Sequence, residues 1–137
     1  MANANVQGVR LTSVSAARVG RALLGALFLV SGLLKTGRFA GIAAVLATKG
    51  VPLPEVAAGL VILLEIAGGL ALVIGWRARE AGIALALFVI AATLLFHPFW
   101  SADAAAFSNQ LNHFLKNVAI LGALMMVAAS SGHHESA

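Results

Sequence analysis

Four long apolar segments dominate the sequence and limit the folds that it can adopt. They run over residues 18–34, 54–75, 80–96 and 112–129. Each is close to the roughly 20 residues that an α-helix needs to cross the ~30 Å hydrocarbon core of a bilayer. Hydrophobic residues make up 61% of the 137-residue chain and charged residues only 10%, which is unlike an ordinary soluble domain. The sequence therefore predicts an integral membrane protein.

Short connections join the four segments and determine how the helices can be arranged. Consecutive helices with short loops pack as antiparallel neighbours. The sequence therefore predicts an all-α fold, a four-transmembrane-helix antiparallel bundle with both termini on the same side. We divide this single membrane domain, residues 1–137, into a polar N-terminal segment (1–16), the helical bundle (17–130) and a flexible tail (131–137).

The connection between the first two segments is the longest, and Gly and Pro interrupt it too often for it to span a bilayer. Apolar residues nevertheless recur there at helical spacing, with a basic residue near each end. This pattern predicts a short amphipathic interfacial helix between helices one and two, and a partly ordered loop is the alternative. The apolar positions are Phe39, Ile42, Ala43 and Leu46.

The basic residues predict the orientation of the bundle, because cytoplasmic loops carry an excess of Lys and Arg. With the N-terminus inside, five basic residues lie on the cytoplasmic side and four on the other. The bias is small, but Arg77 and Arg79 lie close together in the short turn between helices two and three, which also favours a cytoplasmic N-terminus. We therefore predict that both termini are cytoplasmic. The cytoplasmic set is Arg10, Arg18, Arg21, Arg77 and Arg79, and the opposite set is Lys35, Arg38, Lys49 and Lys116.

Two features of the composition exclude whole classes of function. The net charge is +4, but the basic residues stand singly, which argues against nucleic-acid binding. The chain contains no cysteine, which excludes disulfides, thiolate nucleophiles and cysteine-ligated metal clusters. The sequence has no nucleotide-binding loop, nucleophile elbow or HExxH zinc motif, so no catalytic residue is assigned. A redox role would require a bound cofactor or a partner protein.

Glu65 lies near the middle of the second apolar segment. A charged side chain at a helix centre costs about 2.5–3.5 kcal/mol on insertion scales, so such residues usually face the bundle interior and pair. Gly68 and Gly69 share its face of the helix and would let another helix approach closely. We therefore predict that Glu65 accepts hydrogen bonds from a neighbouring helix.

The first segment carries a stripe of small and basic residues that matches this face of the second. A basic residue stands at each end of the stripe, and Ser31 lies beside it. Pairing with Glu65 is one interpretation, and extension of both basic side chains to opposite membrane interfaces is the other. Along the helix, at steps of four, three, four and three, the stripe contains Arg21, Gly25, Phe28, Gly32 and Lys35.

The fourth segment begins with a polar stripe on one side of its helix. Such a cluster can bind an anion, hold the polar head of a ligand or neutralise Glu65. The alternative is an interfacial cap in which the lysine side chain reaches water. The stripe contains Asn109, Asn112, His113, Lys116 and Asn117.

His97 ends the third segment within FHPFW, an aromatic stretch that is typical of a membrane edge. Together with His113 it would form a two-imidazole site that titrates near neutral pH or binds a metal. Two histidines without a nearby carboxylate make a poor metal site, so we assign no metal. We expect His97 to be a hydrogen-bonded interfacial residue.

The chain resembles the DoxX family of small four-helix bacterial and archaeal membrane proteins in three stretches, RALLGALFLVSGLLK, LEIAGGLALVIGWRAREAGIALALFVIAATLLFHPFW and FLKNVAILGALMM. The resemblance covers about residues 17–130. The family takes its name from subunits of a terminal oxidase and of a thiosulfate:quinone oxidoreductase. The resemblance implies a multi-pass protein of the bacterial inner membrane with a quinone-linked or redox-accessory role. Its more specific positions are Arg21, Ser31, Gly32, Lys35, Glu65, Gly68, Gly69, His97, Lys116 and Asn117.

Three functions remain as hypotheses. The leading one is an accessory or subunit of a membrane redox system, with a buried polar pocket between the helices that binds a quinone or another amphiphilic small molecule. The alternatives are a structural membrane anchor or scaffold, and a small proton- or cation-coupled transporter. The expected partners are the lipid bilayer, proteins of a redox complex or further copies of the chain, and not nucleic acid. The residues assigned to the pocket are Arg21, Lys35, Glu65, His97, His113, Lys116 and Asn117.

Overall fold

The computed structural model describes residues 2–131, and the side chains of residue 13 and residues 15–130. Five α-helices account for most of this part of the chain, and a short 3-10 turn, Phe99–Ser101, joins the last two. The helices are α1 (Ala2–Thr36), α2 (Phe39–Thr48), α3 (Pro54–Ile74), α4 (Ala78–Phe96) and α5 (Ala104–Ser131).

Within the described residues, four stretches of helix are long and apolar enough to cross a membrane, and α2 is too short. The predicted all-α fold, a four-helix antiparallel bundle with a short interfacial helix between the first two spans, is therefore confirmed. The four stretches are Ser15–Thr36, Pro54–Ile74, Ala78–Ser101 and Ala104–Ser130.

The connectivity of the chain defines two ends of the bundle. At the first, which we call the α2 end, α1 and α4 finish and α3 and α5 begin. At the other, which we call the turn end, residues 75–77 reverse the chain between α3 and α4. Helix α1 packs along α3, α3 beside α4 and α4 along α5, whereas α1 and α5 touch at only a few positions. The bundle is therefore firmly packed on three sides and loosely closed between α1 and α5.

Two helices begin earlier than the hydropathy of the sequence predicts. Helix α5 begins at Ala104 rather than near Asn112, and Asp103 Oδ1 caps it by accepting a 2.8 Å hydrogen bond from the Ala106 amide. Helix α1 begins at Ala2, so most of the polar segment 1–16 is helical. Hydropathy marks where a helix becomes lipid-soluble and not where it starts. Polar residues can precede the apolar part of the same helix, because its backbone hydrogen bonds form with either kind of side chain. Of the predicted tail, residues 132–137 lie outside the described part.

Helix α2 lies against α3 at the α2 end. Ala43 and Leu46 are buried and pack with Ala58 of α3, and Phe96 at the end of α4 adds to this cluster. The ammonium group of Lys49 lies 5.8 Å from the centre of the Phe96 ring. Helix α2 therefore covers part of the bundle that the longer helices leave open.

Glycines bring the backbones of α1 and α3 into direct contact. A Cβ atom added at Gly25 would lie 2.6 Å from the Gly69 carbonyl oxygen, and one added at Gly69 would lie 2.5 Å from the Leu29 amide nitrogen. Gly32 allows a similar approach, since a Cβ there would lie 3.0 Å from Cβ of Glu65. The stripe of small residues on α1 is therefore the surface that packs against α3, as the sequence predicts.

An apolar core fills the half of the bundle nearest the turn end. Leu72, Leu85 and Leu124 are fully buried there, and Phe28 and Val89 pack against them. Leu72 lies two helical turns beyond Glu65 along α3, which places it about 10 Å nearer the turn end. Many leucine, valine and isoleucine side chains are exposed on the outer surface, as a lipid-facing surface requires.

Candidate functional site

Glu65, Lys35 and Ser31 form a hydrogen-bonded group between α1 and α3, which we call the polar trio. Lys35 Nζ lies 2.8 Å from Glu65 Oε1 and 2.7 Å from Glu65 Oε2, and it donates to Ser31 Oγ at 2.6 Å. Ser31 Oγ in turn donates to Glu65 Oε1 at 3.1 Å. The prediction that Glu65 accepts hydrogen bonds from a neighbouring helix is confirmed.

The geometry of α1 explains how the trio forms. Ser31 and Lys35 are one helical turn apart and therefore share a face, and Gly32 on the same face has no side chain to hold α3 away. Glu65 is almost fully buried, with a side chain that is 4% exposed, whereas the Lys35 side chain is 27% exposed. The carboxylate is therefore enclosed by the protein, while the lysine keeps partial access to its surroundings.

The trio satisfies its own charges and hydrogen bonds. Removing two charges from water is costly, and a direct ion pair with further hydrogen bonds offsets that cost. In the trio each of the three side chains is bonded to both of the others. Among the described side chains, no buried nitrogen or oxygen atom lacks a hydrogen-bond partner. The bundle can therefore hold Glu65 near the middle of α3 without an unpaired charge.

A cavity of about 480 Å³ adjoins the trio on the side of the α2 end. All five helices contribute to its wall, and most of that wall is apolar. The apolar lining consists of Leu27, Phe28, Ile42, Val45, Leu46, Val61, Phe88, Val89, Ala92, Phe96 and Ile120, and the polar lining consists of Ser31, Lys35, Glu65, His97 and Asn117.

His97 and His113 meet at the α2 end. Their rings stack with centres 5.0 Å apart and planes inclined by 12°, so the two imidazoles lie together as the sequence predicts. His97 lines the cavity and His113 is exposed. His97 Nδ1 lies 3.1 Å from Gln110 Oε1, an oxygen that can only accept, so the contact is a hydrogen bond in the tautomer that carries its hydrogen on Nδ1. In the described part of the chain, no group of three metal-ligating side chains occurs.

The structure places Arg21 and Lys116 away from the cavity, which corrects their assignment to the pocket. Arg21 Nε donates to the Leu72 carbonyl oxygen at 2.9 Å, at the turn end. Its guanidinium group packs over Gly75, where a left-handed φ of +82° and the missing Cβ permit the approach. Lys116 is exposed on α5. Of the three basic residues considered as partners for Glu65, Lys35 is the one that reaches it, because Arg21 lies about 15 Å from Ser31 along α1.

The residues assigned to the pocket from the sequence include neither Gln110 nor the apolar residues that line the cavity. Gln110 lies three residues before His113 and seven before Asn117, so helical spacing was the signal that could have placed it with them. Ile42, Val45 and Leu46 line the cavity from α2. Their contribution depends on how α2 folds back over the bundle, and a sequence pattern carries no signal for that arrangement.

Comparisons with known proteins agree with this architecture. The model of the DoxX family matches residues 16–98, which include the polar trio and His97. Inner membrane protein YqjF of Escherichia coli strain K12 is 35% identical over 113 residues, and inner membrane protein YphA of the same strain is 24% identical over 110 residues; each match covers 80% of this chain and 79% of the relative. No solved structure gives a significant match. With a family match over more than half of the sequence and four membrane-length helices, the chain belongs to the DoxX family of integral membrane proteins.

Proposed function

We propose that the protein is an accessory component or subunit of a membrane redox system, and that its cavity binds the ring of a quinone-class amphiphile. One observation carries this proposal, namely that a cavity of about 480 Å³ has mostly apolar walls and the polar trio on one side. Small-molecule sites typically have volumes of about 300–1,000 Å³ and few fixed polar groups. The oxygen atoms at the edge of a quinone ring match the polar trio. The ring and its hydrocarbon tail match the apolar walls.

The loose contact between α1 and α5 supports entry of such a ligand from the lipid. Leu27 and Val45 line the cavity, and they are also 47% and 48% exposed. These residues therefore belong both to the cavity wall and to the lipid-facing surface. A ligand dissolved in the bilayer would reach the trio without passing through water, and its tail would stay among the lipid chains.

The residues of the cavity would bind and orient the ring, and a partner protein would exchange the electrons. A bound quinone supplies two-electron redox chemistry, which side chains of a cysteine-free sequence do not provide. Asn117 offers polar contacts at the ring edge, and Glu65 and His97 are cavity residues that can exchange a proton. The expected partners are therefore proteins of a redox complex in the same membrane.

We also propose that the protein lies in a bacterial inner membrane with its turn end in the cytoplasm. The relatives in Escherichia coli are named inner membrane proteins, and Arg18, Arg77 and Arg79 lie towards the turn end. Because the native chain has no cysteine, single cysteines at Lys49 and Arg79 report the orientation directly. We expect a membrane-impermeant maleimide to label Lys49→Cys in intact spheroplasts and Arg79→Cys only after permeabilisation. The reverse pattern would invert the proposed orientation.

The ligand proposal is tested by filling the cavity. Ala92 lines it, whereas the neighbouring residue Ala91 is exposed on the same helix. We expect quinones to co-purify with the wild-type protein and with Ala91→Leu, and to be lost from Ala92→Leu, because the larger side chain occupies the volume of the ring. The measurement is mass spectrometry of lipid extracts, followed by titration of decylubiquinone into protein in nanodiscs. Absence of quinone binding to the wild-type protein would reject the proposal.

A structural role is the second candidate, and the hydrogen bonding within the polar trio favours it. Each member of the trio bonds to the other two, so the trio joins α1 to α3 without any ligand. If this were its whole purpose, Glu65→Gln would lower the stability of the protein, and Ala92→Leu would leave every function of the membrane system unchanged. Loss of a redox phenotype in Ala92→Leu at normal protein levels would instead favour the ligand site.

A transport role has less support from the arrangement of the helices. The fully buried Leu72, Leu85 and Leu124 lie between the trio and the turn end. An ion that reached Glu65 from the α2 end would still have to cross this apolar core, which offers it no polar contact. Proton or cation flux through liposomes containing the wild-type protein would contradict this view.

A further inference from the structure

The polar trio uses all of its hydrogen-bond donors internally. A lysine ammonium group has three N–H donors, and Lys35 Nζ faces three acceptor atoms: Ser31 Oγ, Glu65 Oε1 and Glu65 Oε2. The single hydroxyl hydrogen of Ser31 is directed to Glu65 Oε1. A ligand that can only accept hydrogen bonds would therefore have to break a bond within the trio to be bound there.

The same inventory leaves acceptor capacity on Glu65. A carboxylate has about four lone-pair sites on its two oxygens. Oε1 receives hydrogen bonds from Lys35 and Ser31, whereas Oε2 receives one from Lys35 alone. Because Glu65 lines the cavity, its Oε2 can accept one further hydrogen bond from a bound molecule.

His97 is a second cavity residue whose side chain can accept a hydrogen bond. In the neutral tautomer whose Nδ1 hydrogen is directed to Gln110 Oε1, Nε2 is the ring nitrogen that accepts. Among the described residues, no side chain donates to that atom. Asn117 also lines the cavity, but an amide donates and accepts equally well and therefore does not discriminate between ligands.

We infer that the cavity selects amphiphiles whose polar head donates a hydrogen bond, such as a phenol or hydroquinone hydroxyl, over heads that only accept one. Glu65 Oε2 and His97 Nε2 are the acceptors. The inference rests on the proposed ligand site and adds the chemical class of the head group. For a quinone couple, it means that the reduced form with two hydroxyl groups binds more tightly than the oxidised form with two carbonyl groups.

Two probes of nearly the same size test the inference without any variant. 4-Nonylphenol donates a hydrogen bond, and 4-nonylanisole, its methyl ether, only accepts. We would titrate each into wild-type protein in nanodiscs by calorimetry and subtract the partition into empty nanodiscs. We expect the phenol to bind at least about tenfold more tightly, as a hydrogen bond to a charged acceptor implies. Decylubiquinol and decylubiquinone, compared under anaerobic conditions, should show the same order.

Matched variants identify the acceptors. His97→Phe keeps an aromatic ring at the cavity wall and removes Nε2, whereas His113→Phe makes the same change in the exposed partner of the stack. We expect the tenfold preference to fall towards equality in His97→Phe and in Glu65→Gln and to persist in His113→Phe. Full preference in both His97→Phe and Glu65→Gln would overturn the assignment of these acceptors.

The outcomes separate failure of the inference from failure of the proposed function. If neither probe nor either ubiquinone analogue binds the wild-type protein, the ligand site itself is rejected. If the ether binds as tightly as the phenol, or more tightly, the ligand site stands and the selection of donor head groups is overturned. A phenol preference in the wild-type protein that depends on Glu65 or His97 supports the inference.

Discussion

The two halves of the bundle differ in construction although the same helices run through both. At the turn end, Gly25 and Gly69 bring the backbones of α1 and α3 together, and fully buried leucines fill the centre. At the α2 end, the same helices surround a cavity of about 480 Å³, and an ion pair between Lys35 and Glu65 joins α1 to α3. The half at the turn end is therefore closed by tight apolar packing. The half at the α2 end is held by polar contacts beside the cavity.

This difference separates the positions that hold the helices together from the positions that form the site. Backbone contact at the glycines fixes the distance between α1 and α3. The ion pair joins the same two helices but does not determine how far apart they lie. We therefore expect substitutions in the packed half to affect folding, and substitutions of the apolar residues around the cavity to affect binding with smaller effects on stability.

The largest expected effect is at Gly69. A Cβ there would lie 2.5 Å from the Leu29 amide nitrogen, and the backbone cannot move aside as a flexible side chain would. Overpacking usually costs about 1–3 kcal/mol, and a clash with backbone should exceed that range. We expect Gly69→Leu to yield little monodisperse protein on size-exclusion chromatography.

Gly59 on the same helix provides the matched control, because a Cβ added there meets nothing within 4 Å. We expect Gly59→Leu to be purified in normal amounts with an unchanged circular dichroism spectrum. Equal yields of the two leucine variants would show that the close approach of α1 and α3 is not required for folding.

The second prediction concerns the two partners of the buried ion pair. Lys35→Met leaves the almost fully buried Glu65 carboxylate without its counter-charge, which we expect to cost about 3–5 kcal/mol of unfolding free energy. Glu65→Gln should cost less, because the Lys35 side chain is 27% exposed and can extend towards the membrane interface. Denaturant unfolding in detergent micelles measures both differences.

The double variant sharpens this asymmetry. With Lys35→Met and Glu65→Gln combined, neither charge is left unpaired, so we expect the double variant to be more stable than Lys35→Met alone. If the losses of unfolding free energy in the two single variants added up to the loss in the double variant, the two side chains would not interact. Equal losses in the two single variants would contradict the predicted difference between them.

The bundle itself could be predicted from the sequence because lipid imposes a simple requirement. Each span needs about 20 apolar residues in a helix, and that requirement is visible in the pattern of residues. The packing face of α1 was also predictable, since Gly25, Gly32 and Lys35 repeat at helical spacing. The start of α5 at Ala104 was not, because the polar residues before the lipid-soluble part continue the same helix.

The site was predictable only in part. The isolated Glu65 required a partner, but three basic residues could have supplied it, and sequence spacing does not give the depth of residues on different helices. The structure selects Lys35 and places Arg21 at the turn end against Leu72. The cavity depends on how α2 folds back and on how loosely α1 meets α5. Both are properties of the tertiary arrangement and have no local signature.

The smallest expected effect is at a second ion pair, which also joins a basic side chain to a glutamate but is exposed. Arg77 and Glu80 meet at 3.2 Å at the turn end, where their side chains are 63% and 49% exposed. Exposed pairs gain little because water already solvates both charges and the side chains lose conformational freedom on pairing. We expect Glu80→Gln to leave the thermal midpoint unchanged within error, whereas Glu65→Gln lowers it under identical conditions. If Glu80→Gln lowered the midpoint as far as Glu65→Gln, burial would not explain the contribution of the Lys35–Glu65 pair, and the distinction between the two halves would have to rest on packing alone.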